Sequence, residues 1–275
     1  MFKSVYIVPK FNAENDPRVT MIADAIKRVA ERRQLFVLTQ PSKCDKVTLV
    51  IAIGGDGTML GAMRIAAQFK SVAMGINLGR TGFLTDFTAI EAVEHQIDDI
   101  LEYAGVVYPI ESRLMLRAWH GSDSVVAGNE VSVSREKSDS MITYRLIFDD
   151  TDAGVYRANS VLVSSPSGST AYSLSAGGAL MMPALHAMQV VPVAPLTMTA
   201  RPIIVSPDTH IEIQAWGGRI AARGDGLEWL CTNSEYTKEN PFTMFVQSHG
   251  DVRILHDKDW NYFNMLTSKL GWIKE

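Results

Sequence analysis

The chain has 275 residues, of which 47% are hydrophobic and 20% charged, so it can bury a substantial core and form one large or two modest domains. Its formal net charge of −4 argues against sequence-independent binding to nucleic acid, which needs a basic surface, and favours a small-molecule ligand. Cys44 and Cys231 lie far apart without metal-ligand spacing, which argues against a disulfide framework and a structural zinc site and fits the reducing cytoplasm.

The first hundred or so residues alternate between strand-like and helix-like patterns. A strand, SVYIV, precedes a helix that Asp16 caps and Pro17 opens. The apolar face of this helix consists of Val19, Ile22, Ile26 and Val29. Three further apolar runs, LFVLT, VTLVIAI and VAMGI, predict buried strands, with a helix between the last two. This alternation predicts an α/β domain with a parallel sheet.

A further helix of this half follows the last of those strands. Thr88 and Glu91 have the spacing of a capping box at its start. Its apolar stripe consists of Ile90, Val93, Ile97 and Leu101.

Past Tyr108 the pattern changes to a period of two, which is typical of half-buried strands. RLMLRAW and TYRLIF each place every second residue on one side, and DDTDAG predicts a hairpin loop after the latter. The inward residues are Leu114, Leu116, Ala118, Tyr144, Leu146 and Phe148. Strands are also predicted for HIEIQAW, RIAAR, FTMFVQ and VRIL. This half is therefore mostly antiparallel β, and the boundary is expected near Pro109.

One apolar tract, residues 188–207, has the length of a membrane span. Pro192, Pro195, Arg201 and Pro202 interrupt it, so no membrane-spanning helix is predicted there.

The sequence LVIAIGGDGTMLGA, residues 49–62, joins a buried strand to a helix. Glycines at such a junction let the backbone approach a phosphate, and the helix N-terminus favours anions. Asp56 would repel that anion, so it needs another role, such as orienting a hydroxyl nucleophile or holding Mg²⁺. An Asx-turn or a helix cap is the alternative. The run is neither a P-loop nor a GxGxxG fingerprint, because Leu60 occupies the position of the last glycine.

Three further motifs and a C-terminal segment accompany GGDGT. They are INLGRTGFLTDF (76–87), NEVSVSR (129–135), SSPSGSTAYSLSAGGA (164–179) and the C-terminal WNYFNMLTSKLGW (260–272). In this order they resemble the bacterial-type NAD kinases over essentially the whole chain. GGDGT alone is shared with diacylglycerol and sphingosine kinases and, loosely, with phosphofructokinases, whereas the series is specific.

The resemblance implies three regions. These are an α/β domain at residues 1–109, a β-rich dinucleotide-binding domain at 110–256, and a C-terminal helix at 257–275 that returns to the first domain, in a fold related to that of diacylglycerol kinases. It also implies transfer of the γ-phosphate of ATP to the 2′-hydroxyl of the adenosine ribose of NAD, giving NADP. Mg²⁺ or another divalent cation would come with ATP, inorganic polyphosphate is an alternative donor, and such enzymes are usually homodimers or homotetramers.

The resemblance assigns the chemistry to GGDGT. Asp56 matches the acid that contacts the reacting hydroxyl, with Gly55 and Gly57 beside the transferred phosphate. An aspartate is a weak base for a sugar hydroxyl, but a loose phosphoryl-transfer transition state needs positioning more than early deprotonation. Asp56 is therefore expected to orient the hydroxyl and accept its proton late.

Recognition of the dinucleotide is assigned to the later motifs. Asn129 and Glu130 match the pair that binds adenine and the ribose hydroxyls, which an amide and a carboxylate can complement. The segment that lines the adenine and nicotinamide pockets corresponds to Thr170, Ala171, Tyr172 and Ser175. Apart from the family resemblance, the Asn129–Glu130 pair is typical of a solvated strand end. The segment that contains Thr170 and Ser175 is then typical of a capped turn.

Other candidates are weaker as patterns. Phe83 matches an aromatic residue beside the adenine, although an isolated phenylalanine is as often core. Arg80 and Arg157 can bind phosphates bidentately, although single arginines are usually surface charges. The six histidines show no ligand spacing, so no protein-held metal site is predicted.

The chain departs from the family pattern at several positions. Asn159 and Ser160 stand where Asp-Gly is usual, and that aspartate contacts the nicotinamide side of NAD. The amide of Asn159 can still accept a hydrogen bond but has lost the charge. Further differences, at Ala179, Leu196 and Leu227, likewise concern substrate handling more than chemistry.

Two other functions are consistent with parts of the sequence. A lipid kinase of the diacylglycerol kinase type would share GGDGT, but NEV with STAYSLS favours a dinucleotide. A non-catalytic dinucleotide-sensing protein is supported by Asn159 and Leu227, whereas the intact Asp56 argues against it.

Overall fold

The computed structural model describes residues 2–13, 16–79, 82–88, 93–136 and 140–273. The chain forms two compact units. Unit 1 consists of Met1–Arg113 with Asp251–Glu275, and unit 2 of Leu114–Gly250. The predicted domain limits near residues 109 and 257 lie a few positions from these changes of unit.

The first part of unit 1 is a parallel sheet with helices. Its strands are β1 (Ser4–Pro9), β2 (Phe36–Leu38), β3 (Thr48–Ile53), β4 (Val72–Asn77) and β5 (Phe87–Thr88). Its helices are α1 (Pro17–Arg32), α2 (Asp56–Phe69) and α3 (Val93–Tyr103), with a short 3₁₀ turn at Pro41–Lys43. Strands pair in the order β2-β1-β3-β4, and β5 pairs with the end of β4.

The predicted α1 is confirmed in detail. The Asp16 side chain caps it by accepting a hydrogen bond from the backbone N–H of Arg18, and Pro17 is its first residue. The four predicted apolar residues are all buried: Val19, Ile22, Ile26 and Val29. They pack in the hydrophobic core of unit 1 with the residues of β3 and β4.

The prediction of a buried strand at LFVLT is wrong in one respect. β2 forms, but it has three residues at the sheet edge, and Phe36 is 73% exposed. An edge strand has a neighbour on one side alone, so its side chains remain open to solvent. In α3, Ile97 and Leu101 are buried as predicted, whereas Ile90 and Glu91 lie outside the described residues.

Unit 2 contains two mainly antiparallel sheets. The strands of the first are β6 (Ile110–His120), β7 (Asp123–Ala127), β9 (Ile142–Phe148), β10 (Thr151–Ala158), β14 (Ile211–Trp216) and β17 (Phe242–Leu255). Those of the second are β8 (Glu130–Arg135), β11 (Ser160–Ser164), β12 (Met188–Val193), β13 (Ile203–Val205), β15 (Gly218–Gly224) and β16 (Leu227–Tyr236). The second sheet has the order β13-β12-β11-β8-β15-β16, and a 3₁₀ turn (Ser167–Thr170) with the one-turn helix α4 (Tyr172–Ser175) follows β11.

The period-two prediction for this half is confirmed. Inward side chains of both sheets form one hydrophobic core, to which the predicted set contributes Leu114, Leu116, Ala118, Tyr144 and Leu146, with Phe148 packed against it. Burial alternates regularly in β9, in β14 and at the start of β17, which have one face in that core. In β11 every residue is buried, so this strand shows no alternation.

Two local predictions for unit 2 are wrong in extent. The predicted hairpin forms between β9 and β10, but its turn uses Asp149 and Asp150, both with positive φ, and the rest of the predicted six-residue loop is strand with a bulge between Asp152 and Val155. The predicted strands FTMFVQ and VRIL are one continuous strand, β17. In both cases the strand continues through polar residues and a glycine that suggested a break.

The C-terminal segment belongs to unit 1. Near the end of β17, Arg253 and Ile254 pair in parallel with the start of β4. Helix α5 (Tyr262–Leu270) follows, with Asn261 as its side-chain cap and Gly271 in the left-handed conformation at its end. None of the described helices is both long and apolar enough to span a lipid bilayer.

Candidate functional site

Asp56 lies where the buried strand β3 gives way to helix α2. Gly55 is the N-cap residue and Asp56 the first residue of the helix. The carboxylate accepts hydrogen bonds from the backbone N–H of Phe83 at 2.8 Å and of Leu84 at 3.0 Å, and from the Thr85 hydroxyl at 3.1 Å. Asp56 therefore connects the start of α2 to the loop that follows β4, which neither an Asx-turn nor a helix cap would do.

The Asp56 cluster is defined here as Asp56 with Phe83, Leu84 and Thr85. Thr85 is fully buried and accepts a hydrogen bond from the Asn77 side chain at 2.7 Å, so its hydroxyl proton is left to point at Asp56. Gly82 makes room for the carboxylate, because a Cβ atom there would lie 1.9 Å from Asp56 Oδ1. A side chain at position 82 would displace the carboxylate from its donors.

The hydrogen bonds leave the Asp56 carboxylate with unused capacity. A carboxylate offers about four acceptor positions, and among the described residues Oδ1 accepts two bonds and Oδ2 one. The remaining position on Oδ2 can accept a hydrogen bond from a ligand hydroxyl. Asp56 is half-buried while Gly55 and Gly57 are exposed, so the helix start is accessible.

The described side chains form no metal site of their own. Within the described ranges, no group of three or more His, Cys, Asp or Glu side chains is placed to hold a metal ion. Asp56 has most of its acceptor capacity committed to the loop, which suits it to share in binding a hydrated cation brought by a ligand rather than to hold a resident one.

A second group of predicted residues meets at the start of β8. The Asp225 carboxylate accepts hydrogen bonds from the backbone N–H of Gly128 at 3.0 Å and of Asn129 at 2.7 Å. The Asn129 carbonyl accepts one from the Ser165 N–H at 2.8 Å. Gly168 packs against that carbonyl, since a Cβ at 168 would lie 2.1 Å from it. The turn before β8 is thus fixed from both sides.

Glu130 is buried in this group. It is 7% exposed, and its Oε2 has no hydrogen-bond partner among the described residues. Burial and the nearby Asp225 charge raise the pKa of Glu130 to about 7, although a hydrogen bond from the Tyr172 backbone N–H lowers it. The Glu130 cluster is defined here as Asn129, Glu130, Tyr172 and Asp225. It holds a carboxyl group that gains or loses its proton near neutral pH.

The serine-rich segment carries the other predicted recognition residues. Thr170 ends the 3₁₀ turn, and its hydroxyl donates to the Ser167 carbonyl at 3.2 Å. Ala171 joins this turn to α4, in which Tyr172 and Ser175 are exposed. The hydrogen bond from the Tyr172 N–H to Glu130 places this segment directly beside the turn before β8.

Not every predicted residue joins these two clusters. Arg157 and Asn159 are exposed in and after β10, where the Arg157 carbonyl accepts from Leu196 N–H and the Asn159 N–H donates to the Val193 carbonyl. Along β11, Glu130 pairs with Ser164, whereas Asn159 precedes Ser160 at the opposite end. Phe83 is half-buried and joins Asp56 through its backbone. Arg80 lies outside the described residues.

Sequence reasoning missed several residues that shape the two clusters. Gly82 and Thr85 belong to the motif at residues 76–87 but received no role, and Asp225 received none either. Gly168 was also overlooked. The Asp-Gly pair at 225 and 226 is a turn signal, yet only the folded chain shows which backbone groups its carboxylate reaches.

Two family models and two curated relatives that match this chain belong to the same family. Family models match in two places, the ATP-NAD kinase N-terminal domain at residues 7–105 and the ATP-NAD kinase C-terminal domain at residues 128–241. The NAD kinase of Erwinia tasmaniensis is 36% identical over 234 residues, covering 82% of this chain and 77% of that protein. The NAD kinase of Shewanella woodyi is 37% identical over 235 residues, covering 83% and 78%.

Solved structures share the fold. The crystal structure of yeast NADH kinase complexed with NADH has a TM-score of 0.77 at 19% identity, covering 100% of this chain and 89% of that one. The structure of an NAD kinase from Archaeoglobus fulgidus in complex with ATP has a TM-score of 0.74 at 23% identity, covering 98% and 100%. The predicted fold class, an α/β domain followed by a mostly antiparallel β domain, is confirmed.

Proposed function

The chain belongs to the ATP-NAD kinase family, and on that premise we propose that it transfers the γ-phosphate of ATP to the 2′-hydroxyl of the adenosine ribose of NAD. The 2′-oxygen forms a bond to the γ-phosphorus, the bond from that phosphorus to the β–γ bridging oxygen breaks, and ADP leaves. The proton of the hydroxyl goes to a base, and the products are NADP and ADP.

Asp56 is the group that orients the hydroxyl. The observation that carries this role is the set of three hydrogen bonds from residues 83–85, which fix the carboxylate and leave Oδ2 able to accept one more. In a loose transition state the nucleophile keeps its proton until late, so a fixed acceptor contributes mainly through alignment. Asp56 then takes the proton as the new bond forms.

The Glu130 cluster binds the adenosine half of NAD in this proposal. The ionised Glu130 carboxylate accepts hydrogen bonds from ribose hydroxyls, and Asn129 offers an amide to the adenine edge. Glu130 Oε2, which has no partner in the described part of the chain, supports this role, because a buried polar atom without a partner gains most from a ligand that supplies one. The family resemblance assigns Thr170, Ala171, Tyr172 and Ser175 to the lining of the dinucleotide site and Phe83 to the neighbourhood of the adenine, and these roles stay predictions.

The phosphates of ATP and a divalent cation complete the proposed reaction. ATP brings a divalent cation, which we propose is Mg²⁺, held mainly by the phosphates and by water. When bound, the cation neutralises charge that develops on the transferred phosphate. Gly55 and Gly57 let the phosphate approach the start of α2. Arg157 as a phosphate ligand, use of polyphosphate, a homodimer or homotetramer and a cytoplasmic location stay predictions.

The two other functions are less favoured. A lipid kinase would share the first domain, but the ATP-NAD kinase C-terminal model matches residues 128–241, which contain the whole Glu130 cluster. A dinucleotide sensor without turnover would not need the ordered Asp56 carboxylate.

The deciding experiment measures NADP formation from NAD and ATP with Mg²⁺ by the wild type and by Asp56→Asn. We expect the variant to bind NAD by calorimetry yet to lose roughly a hundredfold or more in kcat. Asp208→Asn, a change at an exposed turn residue, is the matched control and should behave as wild type. If the wild type binds NAD but makes no NADP with ATP or polyphosphate, the protein is a sensor and the kinase proposal fails.

A further inference from the structure

A buried network in unit 1 joins the C-terminal segment to the loop that holds Asp56. Asp86 follows that loop directly, and its Oδ2 accepts hydrogen bonds from His256 Nδ1 at 3.0 Å and from the Asp257 N–H at 3.0 Å. The Asp86 side chain is 8% exposed and that of His256 is 1% exposed. A carboxylate buried this deeply depends on its donors for its position.

The far side of the His256 ring is fixed as well. Its Nε2 lies 3.3 Å from Glu111 Oε2 and 3.3 Å from Arg113 Nη2. Glu111 and Arg113 form a close ion pair at 2.8 Å. The Trp260 ring stacks on His256 with centroids 4.1 Å apart. The imidazole therefore has one orientation, with the Nδ1 proton directed at Asp86.

Asp86 in turn limits where the preceding residues can lie. The three donors to Asp56 are residues 83–85, and Asp86 is the next residue along the chain. Phe87, one residue further, begins β5 and pairs with Ile76. The loop is thus fixed at its end by strand pairing and, through Asp86, by His256 and Asp257.

We propose that His256 is a positioning residue for Asp56, acting through Asp86 and the 83–85 loop. This inference rests on the proposed role of Asp56 in phosphoryl transfer. His256 touches neither NAD nor ATP in this scheme. Its Nδ1–H holds Asp86 by a hydrogen bond, and Asp86 fixes the position of the 83–85 loop that precedes it. The loop in turn directs the Asp56 carboxylate toward the 2′-hydroxyl. A misplacement of about 1 Å in such a group is enough to slow the chemical step strongly.

Two substitutions separate this role from simple packing. In His256→Asn the amide nitrogen takes the place of Nδ1 and can still donate to Asp86. In His256→Gln the amide reaches toward the place of Nε2 instead, so the Asp86 donor is lost. Both variants lose the ring stacked on Trp260, so a packing role would affect them alike.

The measurements are kcat, KM for NAD and the thermal midpoint of the purified full chain. We expect His256→Gln to lower kcat by roughly tenfold with KM for NAD within about twofold, and His256→Asn to keep most of the wild-type kcat. In the Asp56→Asn background, His256→Gln should have almost no further effect, because residues that act as a unit are not additive.

Other outcomes overturn the inference. Equal losses in the two His256 variants, wild-type kcat in a stable His256→Gln, or additive losses with Asp56→Asn each show that His256 does not act through Asp56. If both variants fold poorly, Asp86→Asn decides, since it preserves shape but weakens acceptance from His256 and Asp257. Wild-type kcat in Asp86→Asn would then refute the inference. Full turnover by Asp56→Asn alone would instead refute the proposed role of Asp56.

Discussion

The Asp56 cluster and the Glu130 cluster place a carboxyl group in opposite circumstances. Asp56 is half-buried and accepts hydrogen bonds from three residues of one loop. Glu130 is buried, has an oxygen without a partner among the described residues, and has its pKa raised to about 7 by burial and by Asp225. Three hydrogen bonds hold the Asp56 carboxylate before any ligand arrives, whereas Glu130 Oε2 has no partner among the described residues.

The difference matches the tasks proposed for the two groups. A residue that aligns a nucleophile must already be oriented, because reorganisation during the reaction would add to the barrier. A residue that recognises a ligand gains affinity when the ligand supplies the missing partner. For these two groups, support before binding fits a role in the chemical step, and the unmet hydrogen bond of Glu130 fits a role in recognition.

The largest expected effect comes from Gly82→Ala, which breaks the support of Asp56. The new Cβ would lie 1.9 Å from Asp56 Oδ1, so the carboxylate must leave its donors. We expect kcat to fall by roughly a hundredfold, with NAD affinity changed little. Steady-state kinetics and calorimetry measure the two quantities.

Gly61→Ala is the matched control for that substitution. It lies in α2, and the nearest atom to its added Cβ is the Arg64 guanidinium at 4.0 Å. It should retain wild-type turnover. A Gly82→Ala protein with undiminished kcat would show that the contact between the loop and Asp56 is not needed for the reaction.

The next effect concerns pH and Glu130. With a pKa of about 7, much of Glu130 is protonated at pH 6 and ionised at pH 8. Because the ionised form accepts the ribose hydroxyls, we expect NAD affinity to be about tenfold weaker at pH 6 than at pH 8. Calorimetry across this range measures the affinity. Glu130→Gln should bind NAD more weakly and show little of this dependence.

Asp225→Asn and protein stability check that assignment. Loss of the Asp225 charge should lower the pH midpoint of NAD affinity, because that charge raises the Glu130 pKa. Between the unfolded pKa of 4.5 and the folded value of about 7, the folded state binds more protons, so this group makes stability fall as pH rises. Glu130→Gln should flatten that fall. An unchanged midpoint in Asp225→Asn would assign the dependence to another group.

The smallest expected effect comes from Asn159, which lies just before β11 and tests recognition of the nicotinamide ring. Asn159 is exposed at the end of β11 opposite to the Ser164–Glu130 pair, on the side that the family resemblance assigns to nicotinamide. Asn159→Asp adds a negative charge there, which should favour the cationic ring of NAD over NADH by about threefold. The ratio of kcat/KM for the two dinucleotides measures this. A ratio equal to that of the wild type would place the nicotinamide away from Asn159.

Much of the fold could be predicted from local pattern. The cap and buried face of α1, the buried strands β3 and β4, and the alternating faces of β6 and β9 follow from periodicity and turn chemistry. β2 was expected to be buried and is not, because its place at the sheet edge depends on how the other strands pair. The continuity of β17 likewise depends on strands distant in sequence, since β17 pairs with β14 and with β4. The two-residue turn before β10 depends on the register of β10 with the adjacent strand β9.

The sequence by itself determined the family, the fold class and the identity of the two carboxyl groups, because motif order and hydrophobic period are local properties of the chain. Only the tertiary structure decided what surrounds those groups. The donors to Asp56 lie 27 to 29 residues away, and Asp225 holds a backbone turn 96 and 97 residues away. His256 meets Asp86 across 170 residues. Orientation, burial and proton affinity arise from such long-range contacts, which no spacing rule within a short segment can specify.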